Sequence, residues 1–70
     1  MLESVSMKLP IRLDQFLKAI GIAQTGGHAK ILIQNGEITV NDETEIRRGR
    51  KLVEGDVVAY DHQQWTISAS

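Results

Sequence analysis

Residues 25–40 read Thr-Gly-Gly-His-Ala-Lys-Ile-Leu-Ile-Gln-Asn-Gly-Glu-Ile-Thr-Val, and no other stretch limits the fold so tightly. Thr25 is an N-cap residue type, and Ala29, Leu32 and Ile33 fall on one face at helical spacing. Asn35-Gly36 is a helix stop. Glu37 to Val40 then alternates polar and apolar, so a strand follows the helix at once with Ile38 and Val40 inward. Two glycines at the helix opening weaken it, by about 1 kcal/mol each if they were interior. They also leave the amides of Gly26, Gly27 and His28 bare, in the arrangement that receives anions at helix N-termini. An ordinary cap and an anion site both fit this opening.

The segment before it is a second helix. Leu13, Phe16, Leu17 and Ile20 lie at i, i+3, i+4 and i+7, an apolar stripe that leaves Asp14, Gln15 and Lys18 to the outer face. Asp14 in the first turn favours the helix dipole, and Gly21 provides the left-handed stop. The link to Thr25 is short, so the second helix packs at an angle on the first, with Ile22 folding back on Leu17. Ile31 falls opposite the buried stripe and is either covered by another segment or exposed.

After Val40 the pattern turns to short strands. Asn41-Asp42 tolerates positive φ in a tight turn, and residues 44–46 are expected to return antiparallel. Leu52-Val53 resumes apolar packing, Glu54-Gly55-Asp56 turns, residues 57–60 form a strand, residues 61–64 a polar turn, and residues 65–67 a closing strand before a frayed Ser-Ala-Ser tail. Residues 7–11 read as a short edge strand, because Pro10 lacks an amide donor. Two packed N-terminal helices against a small, mostly antiparallel sheet make an α+β fold. Without an internal repeat or linker, residues 1–70 read as one domain.

Composition removes whole classes of function. There is no cysteine, hence neither a disulfide framework nor a thiolate metal site. His28 and His62 stand far apart without carboxylates at ligand spacing, so no metal is expected. His62 reads as a turn residue. No cofactor motif is present, and Asp14 has no base, nucleophile or metal beside it, so catalysis is not expected. The apolar stretches are too short to span a membrane, and the opening Met-Leu-Glu-Ser-Val-Ser is too short and acidic for targeting, which makes a soluble cytoplasmic protein the expectation.

Net charge is −1, but the charges are unevenly distributed. Residues 1–36 carry four cations, Lys8, Arg12, Lys18 and Lys30, against Glu3 and Asp14, whereas the rest carries seven anions against Arg47, Arg48, Arg50 and Lys51. Those last four fall within five residues around Gly49, forming either a phosphate-gripping loop or a solvated arm paired with Glu43 and Glu45. Tyr60 and Trp65 could stack on bases, but in a chain with three aromatics they read as packing residues.

Five pieces in order, Arg12-Leu13-Asp14-Gln15-Phe16-Leu17, Gly26-Gly27-His28-Ala29-Lys30, Gly36-Glu37-Ile38-Thr39-Val40-Asn41, Arg47-Arg48-Gly49-Arg50-Lys51-Leu52 and Gly55-Asp56-Val57-Val58, resemble the S4-type RNA-binding domain over residues 8–60. More narrowly, the chain resembles small stand-alone bacterial members of the YaaA and YbcJ type. The resemblance implies a helix-turn-helix-like pair leaning on a bent sheet, the alpha-L motif. It also implies no catalytic group, and RNA lying across the start of the second helix and the basic loop. Here Asn41-Asp42 replaces the usual Asn-Gly turn, and the second helix offers Lys30 where relatives are often rich in Arg.

The expected RNA-binding residues are Arg12, Lys18, Thr25, Gly26, Gly27, His28, Lys30, Arg47, Arg48, Arg50 and Lys51. Their partner would be structured RNA, ribosomal or transfer, held as such or within ribosomal particles, by a monomer. A protein-interaction module using Ile31, the sheet face and the basic loop is the competing reading.

Overall fold

The computed structural model describes residues 2–70. Strand β1 (Leu2–Met7) leads through Pro10 to β2 (Ile11–Arg12), then to helices α1 (Leu13–Ala19) and α2 (Gly26–Gln34). Five strands follow: β3 (Thr39–Val40), β4 (Glu43–Thr44), β5 (Lys51–Leu52), β6 (Val57–Tyr60) and β7 (Gln63–Ala69). The main sheet has the order β1-β7-β6-β3-β4, and β2 pairs with β5 in a second, two-stranded ladder. All pairings are antiparallel except β1 with β7. This is the α+β architecture expected from the pattern of elements.

One apolar cluster joins the layers. Leu13, Phe16 and Leu17 from α1 and Ala29, Leu32 and Ile33 from α2 are buried with Ile38, Val40, Leu52, Val58, Trp65 and Ile67. Phe16 meets Trp65 edge to face, ring centroids 6.5 Å apart, which settles Trp65 as a packing residue. Ala23, in the connection between helices, is also buried, and its amide donates to the Leu17 carbonyl. Ile31 stays exposed.

The helix ends follow the local signals. Gly36 takes φ +78°, its amide donates to Ile33 and that of Glu37 to Leu32, the paired bonds of a Schellman stop. Asn41-Asp42 and Asp61-His62 have φ between 51° and 67°, the left-handed pair that a two-residue hairpin turn demands. Asn41 does more than turn: its side-chain carbonyl accepts from Val57 and its amide donates to the carboxylate of buried Asp56, tying the β3 turn to β6.

Several boundaries depart from the sequence pattern. The edge strand predicted over residues 7–11 is two strands, β1 ending at Met7 and β2 beginning at Ile11. Residues 2–7 pair with β7, residue by residue from Leu2 opposite Gln64 to Met7 opposite Ala69. Ser68 and Ala69 therefore lie in a strand, and the Ser70 amide donates to Met7, where a frayed tail was expected. The return strand is Glu43–Thr44 instead of residues 44–46, because the Asn41-Asp42 turn puts Glu43 directly opposite Val40. The closing turn narrows to Asp61-His62, and β7 begins at Gln63. Leu52 is buried as read, but Val53 is exposed, because β5 ends at Leu52 and Val53 enters the turn in which its amide donates to the Asp56 carboxylate.

Candidate RNA interface

The opening of α2 is built as the sequence suggests. The Thr25 hydroxyl accepts from the His28 amide at 3.0 Å, and the Thr25 carbonyl accepts from Ala29. His28 is exposed, and its Nδ1 accepts a long bond, 3.4 Å, from the Gln24 amide. The amides of Gly26 and Gly27 donate to no group among the described residues, which leaves two N–H groups at the positive end of the helix dipole.

The start of α1 is completed differently. Arg12 occupies the N-cap position with no side-chain cap, and the orphan amides of Leu13 and Asp14 donate instead to the carbonyls of Arg50, at 2.8 Å, and Arg48, at 3.1 Å. The basic loop is thereby fastened by its backbone to α1. Within it the Arg50 amide closes a turn onto the Arg47 carbonyl, and the Arg12-Lys51 pairing of β2 with β5 sets two further cations side by side.

Two hidden carboxylates organise the arginines. Asp14, 3% exposed, accepts from Arg12 Nη2 at 2.7 Å and Nε at 3.2 Å, from Arg48 Nε at 3.0 Å, and from the Gln15 amide at 2.8 Å. Glu45, 6% exposed, accepts from Arg47 Nε and Nη2, from the Arg47 amide, and from Arg50 Nη1 at 2.9 Å. Four guanidiniums against two carboxylates leave a local surplus of two positive charges. Burial pushes the Asp14 carboxyl up, but hydrogen bonds from Arg48, Arg12 and the Gln15 amide, with the Arg12 charge, outweigh it and hold it below the ordinary carboxylate range. For Glu45 the Arg47 hydrogen bonds dominate over burial, Arg50 adds to them, and the carboxyl is lowered to about 2.

Two expectations are corrected here. Asp14 does not lie on the solvent face of its helix, because Arg12 and Arg48 converge on its carboxylate and cover it. Its bond to the first-turn Gln15 amide keeps the dipole role while adding a second one. The pairing of the basic loop with Glu43 and Glu45 is narrowed too: Arg47 and Arg50 bond to Glu45 as that reading allowed, Arg48 bonds to Asp14 instead, both carboxylates are buried, and Glu43 enters no ion pair among the described residues. The signal was present in the sequence as Arg12-Leu13-Asp14 and Glu45-Ile46-Arg47, each placing a carboxylate two residues from an arginine.

The decisive contact joins the loop to α2. A β-carbon at Gly26 would stand 3.4 Å from Arg48 Nη2, so the Asp14-held guanidinium lies against the opening of the second helix. Arg12, Arg48, Gly26 and the Thr25 cap thus form one surface. Lys18 and Lys30 are exposed on their helices and enter no ion pair among the described residues. Among the described residues no group of histidine and carboxylate side chains could hold a metal ion, and no helix is long and apolar enough to cross a membrane.

Known proteins resemble this chain in sequence and in fold. The pattern defining the S4 domain matches residues 7–68. The chain belongs to the S4 domain family. It is 54% identical over 48 residues to a probable ribosome maturation protein, RlbA, of Bacillus subtilis (strain 168), a match covering 69% of this chain and 68% of that protein. Its fold resembles the solution structure of YbcJ from E. coli, which contains an αL motif involved in RNA binding. The TM-score is 0.66 at 28% identity, over 97% of this chain and 86% of that one. Membership makes the chain a small, non-enzymatic member of an RNA-binding family.

Proposed function

We propose that this protein is a monomeric, cytoplasmic, non-catalytic RNA-binding protein that holds structured RNA during ribosome maturation, with ribosomal RNA as its partner in preference to transfer RNA. One observation carries the reading: the Arg48 guanidinium, fixed by Asp14, lies against Gly26 at the opening of α2, where the amides of Gly26 and Gly27 have no partner among the described residues. A phosphate there would meet a planar cation and a helix N-terminus together, and Arg12, Arg47, Arg50 and Lys51 extend the positive surface along the backbone of the RNA. Recognition of this kind reads phosphate positions and shape. The resemblance to a ribosome maturation protein supports the ribosomal partner.

A filter-binding titration of a ribosomal RNA fragment at several salt concentrations tests the proposal. Neutralisation of about three to five phosphates gives a slope of log K against log salt of roughly −2 to −4. A slope near zero would sink it. The second reading, a protein-interaction module, draws on four exposed large apolar residues, Leu2, Ile31, Ile46 and Val53. It requires tight, salt-insensitive association with a protein and no binding of RNA.

A further inference from the structure

The outer face of α1 carries a solvent-open depression of about 390 Å³ lined by Ile11, Gln15, Lys18 and Ala19. That volume lies at the small end of the range for small-molecule sites. Its composition is specific: two apolar side chains, one amide and one ammonium. Gln15 and Lys18 are exposed and their side chains bond to no group among the described residues, so both are available to a ligand. The backbone beneath the amide is held, because the Gln15 N–H donates to Asp14 Oδ1 at 2.8 Å. The same carboxylate anchors Arg12, the residue after Ile11, so the depression adjoins the positive surface without a break.

Resting on the RNA-binding reading, we infer that this depression receives one unstacked nucleobase of the bound RNA, an adenine, whose edge Gln15 reads while Lys18 engages a neighbouring phosphate. Ile11 and Ala19 supply an apolar floor of the kind a base can lie on once it leaves its helix. The Gln15 amide offers one donor and one acceptor side by side, which matches the N7 acceptor and N6 donor of adenine. Unstacked bases expose that edge in RNA loops and bulges, where sequence-specific recognition concentrates. The arginine forks held by Asp14 and Glu45 grip phosphates and carry no base information, whereas this depression supplies it.

Four RNA hairpins with one stem and loops of A, C, G or U provide the test, using the full chain, Gln15→Ala and Ala19→Leu. Both side chains are exposed, so thermal melts of the variants are expected to match the parent. The A-loop hairpin is expected to bind best, and Gln15→Ala to remove that preference by about fivefold or more while leaving the salt slope unchanged. Ala19→Leu fills the depression and is expected to weaken A-loop binding most. In a ¹⁵N spectrum the Gln15 side-chain amide is expected to shift when the A-loop hairpin is added. Equal affinity for all four hairpins, with Gln15→Ala indistinguishable from the parent, overturns the base site and leaves phosphate binding standing. Failure of every hairpin to bind at any salt concentration overturns both.

Discussion

Asp14 and Glu45 each sit almost out of solvent and each bind two arginines, yet they do different work. Glu45 gathers Arg47 and Arg50, two and five residues along the same loop, so its bonds fix the loop's own shape. Asp14 gathers Arg12, from the strand leading into its helix, and Arg48, 34 residues away. It therefore adds a side-chain tie to the backbone bonds that fasten the loop to α1, and it fixes Arg48, the cation that reaches Gly26. The same chemistry shapes a local turn in one place and assembles a binding surface in the other. Sequence separation of the partners makes the difference.

The sharpest way to break this comparison is Asp14→Ala. Two guanidiniums and the Gln15 amide lose their acceptor, but both arginines are partly exposed and can turn to water, so the expected loss is about 2–3 kcal/mol in urea denaturation, below the range for a fully buried pair. RNA affinity is expected to fall as well, although the substitution makes the protein more positive by one charge. Tighter RNA binding by Asp14→Ala would show that Arg48 needs no positioning. Glu45→Ala, by contrast, is expected to destabilise by about 1–2 kcal/mol with a smaller effect on affinity, because Arg48 keeps its partner.

Arg48→Ala isolates the shared cation. Asp14 retains Arg12 and the Gln15 amide, so stability is expected to drop by about 1 kcal/mol, while the salt slope flattens by about one unit. Arg47→Ala should change both less, since the Arg47 side chain is 75% exposed and Arg50 still holds Glu45. If the two variants lost equal affinity, the two forks would be equivalent in binding.

Acid titration sharpens the comparison further. Glu45 titrates at about 2 in the folded chain against an ordinary value of 4.5, so its stabilisation is complete above about pH 4.5 and is lost as pH falls toward 2. Asp14, also lowered, acts with the same sign. Glu45→Gln is therefore expected to unfold with a shallower dependence on pH between 4.5 and 2 than the parent, as followed by circular dichroism. An unchanged acid transition would mean that the Glu45 fork does not persist in solution.

The smallest expected effect on the fold is at Gly27. A β-carbon there would meet only the Thr25 hydroxyl oxygen, at 3.9 Å, so Gly27→Ala is expected to be neutral or stabilising by up to about 1 kcal/mol in a thermal melt. A phosphate resting on the bare amide would be pushed away, and RNA affinity would fall without loss of stability. Retained affinity would confine the binding surface to the arginines.

Sequence by itself determined the elements whose cause is local. The i, i+3, i+4 stripe of Leu13, Phe16 and Leu17 is buried as read, and so are Ala29, Leu32 and Ile33 of the second helix. Gly21 and Gly36 take the left-handed conformations their positions implied, as do Asn41 and Asp42. These features depend on backbone sterics and on periodicity within a few residues, so a short window contains their cause.

Tertiary structure decided whatever depended on a distant partner. Residues 2–7 carry little strand signal of their own, and their pairing with β7 depends on segments more than sixty residues apart. Burial of Asp14 and Glu45 was equally hidden, because a carboxylate reads as a surface group until the arginines that compensate it are brought near. The family pattern pointed to the basic loop and the second helix as parts of one RNA surface. That Arg48 is the residue joining them followed only once Asp14 had a place in the fold, since a charge pair across 34 residues is specified by packing and by no local pattern.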